Sequence, residues 1–453
     1  METDMTGNTT LAWPILNRTD FESATERVSA MLRQIQEYNS NTHIYLSLAH
    51  DALEQARSSD ARRAQGRPLS EIDGLVFSVK DNIDVAGLPT AAGLGVLRER
   101  IAPHDSFVVA SLRKAGAIIL GKSNMHPAAF GASNHNPDFG NCMNPAHPGR
   151  VPGGSSGGAG ASIAAGWADV AIGSDTMGSV RIPASYCGVV GFKPSFGLLS
   201  TRGSVPLCSA LDHLGLIAGN VSLLQKTLEV AAKFDVDNPD SRRFFPTGSS
   251  TGPLKLRAPD RVIGLDIAPA VWLAYEAAVQ RIEEAGWAVE RFTAQAGELS
   301  RVRRAGLVLC ELEMLLTYGD VWDQEPEQFP PDLAAALRWV QTRSLPDIAR
   351  AQRVLASGRL IWRNWLAEAD MLLLPTTGHE PFLMDDPAPA QQADLTLLAN
   401  LVGSPAISIP LPVQAGALSV GLQLIAKEGH DMTLLDMARK LQGLLGTRAA
   451  ACG

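Results

Sequence analysis

Residues 153–179 limit the fold more tightly than any other stretch. Gly153-Gly154-Ser155-Ser156-Gly157-Gly158 is a run of glycine and serine alone. Glycine admits backbone conformations closed to other residues and lets peptide groups approach closely. Ala159 to Ala168 is rich in small residues and suits a tightly packed helix. Val170-Ala171-Ile172 has strand character. A second loop, Gly173-Ser174-Asp175-Thr176-Met177-Gly178-Ser179, follows it directly. Short strands alternating with helices predict an α/β fold around a sheet.

The flanking sequence continues this pattern. Ala24, Val28, Met31, Leu32 and Ile35 recur at helical spacing after a candidate N-cap, Asp20, and residues 1–18 read as a frayed lead-in. Helices are predicted at 49–65, closed by Gly66, at 107–114, at 271–285 and at 433–445. Strands are predicted at 75–79, 117–120, 262–265, 371–374, 406–409 and 420–425. Residues 300–366 read as helical apart from a break at Pro330-Pro331. Residues 235–260, rich in Pro, Asp, Ser and Gly, read as the clearest surface connector.

Composition removes several function classes. Hydrophobic residues are 45% and charged residues 19%, which excludes a disordered chain. Lys and Arg total 39 against 47 Asp and Glu, a net charge of −8, so no nucleic-acid partner is expected. No window approaches the roughly 18 uninterrupted apolar residues of a membrane span, so no membrane partner is expected. Cys142, Cys187, Cys208, Cys310 and Cys452 are scattered, odd in number and without C-x-x-C. A reducing compartment follows. METDMTGNTTLAWPIL has no basic start and no long apolar run. A cytoplasmic protein is therefore expected.

One motif match fails on context. Gly116-Ala-Ile-Ile-Leu-Gly121-Lys122-Ser123 fits the phosphate-binding pattern G-x-x-x-x-G-K-[ST]. That pattern needs its middle residues in a loop, whereas Ala-Ile-Ile-Leu reads as a buried strand. A different constellation carries chemistry: Lys80, Ser155 and Ser179. Serine attacks a carbonyl well only when a base removes its proton. No histidine sits in a recognisable triad setting, and lysine serves as base if burial lowers its pKa. Each segment also has a plainer reading. Lys80 could pair with Asp81 or Asp84, the Gly/Ser run could be a helix cap, and residues 176–179 a turn at a strand end.

The segment from Gly153 to Pro194, GGSSGGAGASIAAGWADVAIGSDTMGSVRIPASYCGVVGFKP, closely resembles the amidase signature. Val79-Lys80-Asp81-Asn82-Ile83-Asp84-Val85 with Gly87-Leu88-Pro89-Thr90, and Gly121-Lys122-Ser123-Asn124-Met125, match that family's earlier blocks. Asn400 to Pro405 and Val420 to Ile425 look like its closing strands. The resemblance is strong over residues 65–230 and moderate over 366–445.

The resemblance implies an α/β/α fold with a large mixed β-sheet flanked by helices. It divides the chain into a helical lead-in, 1–64, and one domain, 65–453, with a variable helical insertion at about 260–365. It also implies a Ser–cisSer–Lys triad. Ser179 matches the nucleophile, Ser155 the bridging serine after a cis peptide bond, and Lys80 the base. The N–H groups of Thr176, Met177, Gly178 and Ser179 match the oxyanion hole. Asp175 and Arg181 match the pair bracing the nucleophile loop. No metal or other cofactor is implied.

The expected reaction is hydrolysis of an amide-type C–N bond in a small amide, aryl amide or carbamate (urethane), through an acyl-enzyme on Ser179. The alternatives are a glutaminase subunit of a tRNA-dependent amidotransferase complex, or a ureido-acid (allophanate-type) hydrolase. A homodimer is admitted. Trp322, Trp339, Trp362 and Trp365 in the insertion lean the substrate toward an apolar or aryl group, though helical Trp residues are more often core. Two departures stand out. Met177 occupies a position commonly held by glycine, where a side chain could narrow the pocket or tilt an oxyanion donor. Asn124-Met125 is followed by His126-Pro127-Ala128-Ala129, without the acidic residue typical of the amidotransferase branch.

Overall fold

The computed structural model describes residues 15–16, 20–243, 254–414 and 416–446. Its strands are β1 (Tyr45–Leu48), β2 (Val76–Lys80), β3 (Ile118–Ser123), β4 (Val170–Asp175), β5 (Val190–Lys193), β6 (His213–Ala218), β7 (Leu256–Ile263), β8 (Val289–Gln295), β9 (Met371–Pro375), β10 (Ala406–Pro410) and β11 (Gly421–Ala426). They form one sheet in the order β1-β3-β2-β4-β6-β5-β10-β11-β9-β7-β8. The sheet is mixed. β3, β2 and β4 run parallel, as do β9, β7 and β8, and the remaining neighbours pair antiparallel.

Helices flank the sheet: α1 (Ala24–Thr42), α2 (Ala52–Ala64), α3 (Phe107–Lys114), α4 (Gly157–Ala164), α5 (Arg181–Cys187), α6 (Val221–Ala231), α7 (Pro269–Glu284), α8 (Leu299–Gln324), α9 (Pro331–Gln341), α10 (Leu345–Leu366), α11 (Leu397–Leu401) and α12 (Asp431–Leu445). The expected large mixed sheet flanked by helices is thus present. No helix among the described residues is long and apolar enough to cross a membrane.

The central strands are buried along their whole length, as strands covered on both faces must be. Their side chains join the largest apolar core, which includes Phe77, Ile119, Ile172, Leu216 and Leu424. A second core lies among α8, α9 and α10, with Val302, Met314, Leu337 and Leu355 at its centre. β2 and β4 are parallel neighbours, Val79 facing Ile172. Their carboxyl ends therefore leave the sheet side by side, carrying Lys80 and the loop after Asp175. Chemistry in α/β folds is commonly assembled at such ends.

Several sequence expectations shift. α1 is capped by Ser23, whose side chain accepts from the Glu26 amide, and not by Asp20. The predicted helix at 49–65 begins at Ala52, because Tyr45–Leu48 is taken into the sheet as an edge strand on β3. The connector at 235–260 ends in β7, a strand that accommodates Pro259 at a register shift. Asn400 to Pro405 is the end of α11 and a turn, and the strand starts only at Ala406. The phosphate-loop lookalike is β3, with Lys122 buried and bonded to Pro89 O at 2.8 Å and Thr90 Oγ1 at 2.9 Å. Residues 1–14, 17–18 and Cys452 lie outside the described residues. Cys142, Cys187, Cys208 and Cys310 are free and buried.

Candidate active site

Lys80 ends β2 and is fully buried. Its Nζ donates to Ser155 Oγ at 2.7 Å, Ser174 Oγ at 2.8 Å and the Ser174 carbonyl at 3.4 Å. The plainer reading, in which Asp81 or Asp84 takes its charge, fails because both are engaged elsewhere. Asp81 lies 3.6 Å from Lys122 Nζ, and Asp84 2.9 Å from Arg100 Nη1. Burial away from water penalises the ammonium and pulls the Lys80 pKa down to about 7, with the carboxylates of Asp175 and Asp212 resisting. An amine with that pKa is substantially neutral near pH 7 and can accept a proton.

Ser155 follows a cis Gly154–Ser155 peptide bond. Its carbonyl accepts from the His126 amide at 3.0 Å, which fixes the loop against the segment after β3. Ser156 stands at the N-cap position of α4, but its hydroxyl donates to the Ser174 carbonyl at 3.1 Å and does not cap the helix. The Ser156 amide donates to the Ser179 carbonyl at 3.2 Å. The two loops are thereby stitched together, and the residues singled out in each share one site. The start of α4 also packs closely on the segment after β3, which its opening glycines permit. A Cβ on Gly158 would lie 2.5 Å from the Asn124 carbonyl oxygen.

The second loop is held from behind. Asp175 Oδ1 accepts from the Gly178 amide at 2.7 Å, and Oδ2 from the Val180 amide at 3.1 Å. Arg181 clamps the same carboxylate through Nε at 3.0 Å and Nη2 at 2.8 Å. Arg181 also donates to Gln423 Oε1 at 2.6 Å, Asn400 Oδ1 at 2.6 Å and the Thr396 carbonyl at 2.8 Å. Burial acts to raise the Asp175 pKa, but the Arg181 charge and these hydrogen bonds prevail and hold it well below the usual carboxylate range. The expected bracing pair is therefore in contact.

The four amides expected as oxyanion donors differ in their bonding. The Gly178 N–H is committed to Asp175, whereas the amides of Thr176, Met177 and Ser179 make no hydrogen bond among the described residues. Gly178 has φ 129, and a Cβ there would lie 2.2 Å from Thr396 Oγ1, so its role is to let the loop turn under Thr396.

Ser179 is 9% exposed and lines a cavity of about 200 Å³. The cavity lining includes Ala129, Phe130, Thr176, Met177 and Ile182, together with Leu307 and Cys310 of α8 and Ala390, Gln392 and Ala393. Among the described residues Arg303 is the one charged lining residue, and its Nε donates to Asp394 Oδ1 at 2.6 Å. None of Trp322, Trp339, Trp362 and Trp365 lines the cavity. Trp322, Trp362 and Trp365 are core residues, and Trp339 packs against the core of the insertion.

Sequence reasoning missed several supporting groups. Asn82 Nδ2 donates to Ser174 Oγ at 3.1 Å, which makes Ser174 and Asn82 close neighbours of the Lys80 ammonium. Asp212 accepts from Thr176 Oγ1 at 2.5 Å and from the Leu207 and Cys208 amides. Burial pushes its pKa up to about 6. The Asn82 signal lay within the lysine block, two positions after Lys80. Asn400 and Gln423 lay inside segments already matched to the family's closing strands, but nothing there pointed to Arg181, and Asp212 carries no local signal, because each reaches the site from a distant part of the chain.

An amidase family model matches residues 26–435. The chain belongs to the amidase family. The A-type polypeptide of the glutamyl-tRNA(Gln) amidotransferase of Koribacter versatilis is 32% identical over 457 residues, covering 93% of this chain and 95% of the relative. An inhibitor-bound structure, from work on a vestigial protein complex and the evolutionary origins of an s-triazine catabolic enzyme, superposes with a TM-score of 0.86 at 28% identity. That match covers 96% of this chain and 98% of the other. A crystal structure of an amidase superposes with a TM-score of 0.82 at 26% identity, covering 94% and 98%. The protein is therefore an amidase-signature enzyme that hydrolyses C–N bonds.

Proposed function

We propose that this amidase cleaves a small amide, aryl amide or carbamate through an acyl-enzyme on Ser179. The observation that carries the substrate side is the lining of the cavity beside Ser179. It is mainly apolar, and Arg303, its single charged group among the described residues, is already paired with Asp394.

The Lys80–Ser155 contact supports the first leg of a two-proton relay, whose second leg, from Ser179 to Ser155, is part of the proposal. Neutral Lys80 accepts the Ser155 hydroxyl proton across the 2.7 Å contact as Ser155 takes the proton of Ser179. The Ser179 oxygen attacks the substrate carbonyl, and the amides of Thr176, Met177 and Ser179 supply donors for the oxyanion. Lysine then returns its proton through Ser155 to the nitrogen of the leaving amine as the C–N bond breaks. Water, deprotonated by the same relay, attacks the ester, releasing the acid and restoring Ser179.

The second reading, as the glutaminase component of an amidotransferase, is favoured by the names of relatives such as the Koribacter protein. Free glutamine carries both a carboxylate and an ammonium group. Among the described residues, the cavity lining contains no Asp or Glu to meet the ammonium. The segment after Met125, His126-Pro127-Ala128-Ala129, is also largely buried and lacks an acid. A panel of primary amides, anilides, carbamates, ureido acids and glutamine decides between them, with intact-mass detection of the acyl adduct. Turnover of apolar amides or carbamates well above glutamine is expected. Strict glutamine dependence, or activity only with co-purified partner proteins, would establish the second reading.

A further inference from the structure

Met177 stands where the family's motif commonly has glycine, so its side chain must be housed somewhere. It is 8% exposed and belongs to the apolar core of the helical insertion. The space it uses is left by Gly306 of α8. A Cβ built on Gly306 would lie 2.7 Å from Met177 Cε, with Leu211 Cδ1 at 3.7 Å and Leu355 Cδ2 at 3.8 Å. The terminal methyl of Met177 therefore rests against the α8 backbone, with the two leucines close by. Gly306 directly precedes Leu307, and Leu307 and Cys310 both line the cavity beside Ser179, as does Met177. The thioether thus fills the space over Gly306 at the edge of the cavity.

We propose that Met177 and Gly306 act as a pair that sets the size of the group the cavity accepts next to Ser179. This rests on the reading of Ser179 as nucleophile. Shortening Met177 joins the space over Gly306 to the cavity and lengthens it. A methyl at position 306 displaces the thioether. Leu211 and Leu355 close off the core side, so the displaced side chain moves toward the cavity and shortens it. Methionine is the residue suited to this, since its unbranched, flexible side chain adapts to irregular space. The Met177 amide, one of the oxyanion donors, is retained in any replacement except proline.

The pair is tested without knowledge of the natural substrate, by comparing how fast methanesulfonyl fluoride and octanesulfonyl fluoride modify Ser179. The octyl-to-methyl rate ratio separates size selection from general damage to the loop. Relative to wild type, Met177→Ala should raise the ratio about tenfold or more, and Gly306→Ala should lower it by a similar factor, the scale on which apolar pockets discriminate chain length. In the double variant the effect of Gly306→Ala should vanish, because no thioether remains to be displaced. Gly306→Ala favours the helix. If Met177→Ala unfolds, Met177→Val should shift the ratio in the same direction by less. An unchanged ratio in folded single variants, or an equal effect of Gly306→Ala with and without Met177, overturns the pair alone. Failure of methanesulfonyl fluoride to modify Ser179 in the wild type overturns the nucleophile assignment, and the pair with it.

Discussion

Among the described residues Lys80 has no carboxylate in hydrogen-bond contact, and its neighbours are hydroxyls, a carbonyl and, one step away, Asn82. Only the neutral amine takes a proton. Activity should therefore fall as pH drops through about 7, the value to which burial brings this lysine. His126 cannot be the source of that limb, since burial holds its pKa down to about 3. The carboxylates of Asp175 and Asp212 both act to raise the lysine, and Asp212 itself is pushed up to about 6. Replacing Asp212→Asn removes one raising charge, so the acidic limb of the kcat/KM profile should move to lower pH. A limb that stays in place or moves up would contradict this. Lys80→Arg should lose nearly all turnover, because arginine stays protonated. Ser155→Ala should lower kcat by several orders of magnitude while binding persists, since triad members act as a unit. Near wild-type kcat would remove Ser155 from the relay.

At the scale of elements, the catalytic loop is only as good as what braces it. Arg181 is fully buried and joins Asp175 to α11 and β11 through Asn400 and Gln423. Arg181→Met leaves the Asp175 carboxylate buried without its cation, and should cost about 3–5 kcal/mol in denaturant unfolding. Gly178→Ala adds a Cβ against Thr396 in a backbone region unfavourable to alanine. The backbone alone should cost about 1–3 kcal/mol, with loss of turnover as the loop shifts. Much of this was legible in sequence where it is local. The Gly/Ser run, the Asp175-to-Arg181 loop and the lysine block each left a plainer reading open, and together they pointed to Lys80, Ser155 and Ser179, whose roles came from the family resemblance. Asp212 was not legible, and the roles of Asn400 and Gln423 were not either although their segments stood out, because these residues come from β6's entry, α11 and β11, and meet Asp175, Thr176 or Arg181 only through tertiary folding. The diversion of Gly178 to Asp175 was hidden for another reason. A motif records which residues are present, and not which N–H groups are already taken.

Over the whole molecule, the strongly periodic helices and the apolar central strands were readable, and the peripheral strands were not. β1 has four residues between two helices, and β7 carries Pro259, Asp260 and Arg261. Both exist because a neighbouring strand offers its free edge, which local propensity does not report. Helix α8 lines the cavity from within the same chain, through Arg303, Leu307 and Cys310. The isolated chain should therefore turn over a small amide or carbamate with no second protein present, and size-exclusion fractions should carry activity with this polypeptide alone. Activity that appears only on adding another protein would count against it.

The assignment of Ser179 as nucleophile, activated by Lys80 through Ser155, is tested most directly by the pH dependence of its modification. Phenylmethanesulfonyl fluoride is mixed with the enzyme on both sides of neutral pH, and the adduct is mapped by peptide mass spectrometry. A single adduct on Ser179 is predicted, forming faster as pH rises through about 7, with the rate collapsing in Lys80→Arg. An adduct on Ser155 or another serine, or a rate on Ser179 indifferent to pH and to Lys80, would contradict it.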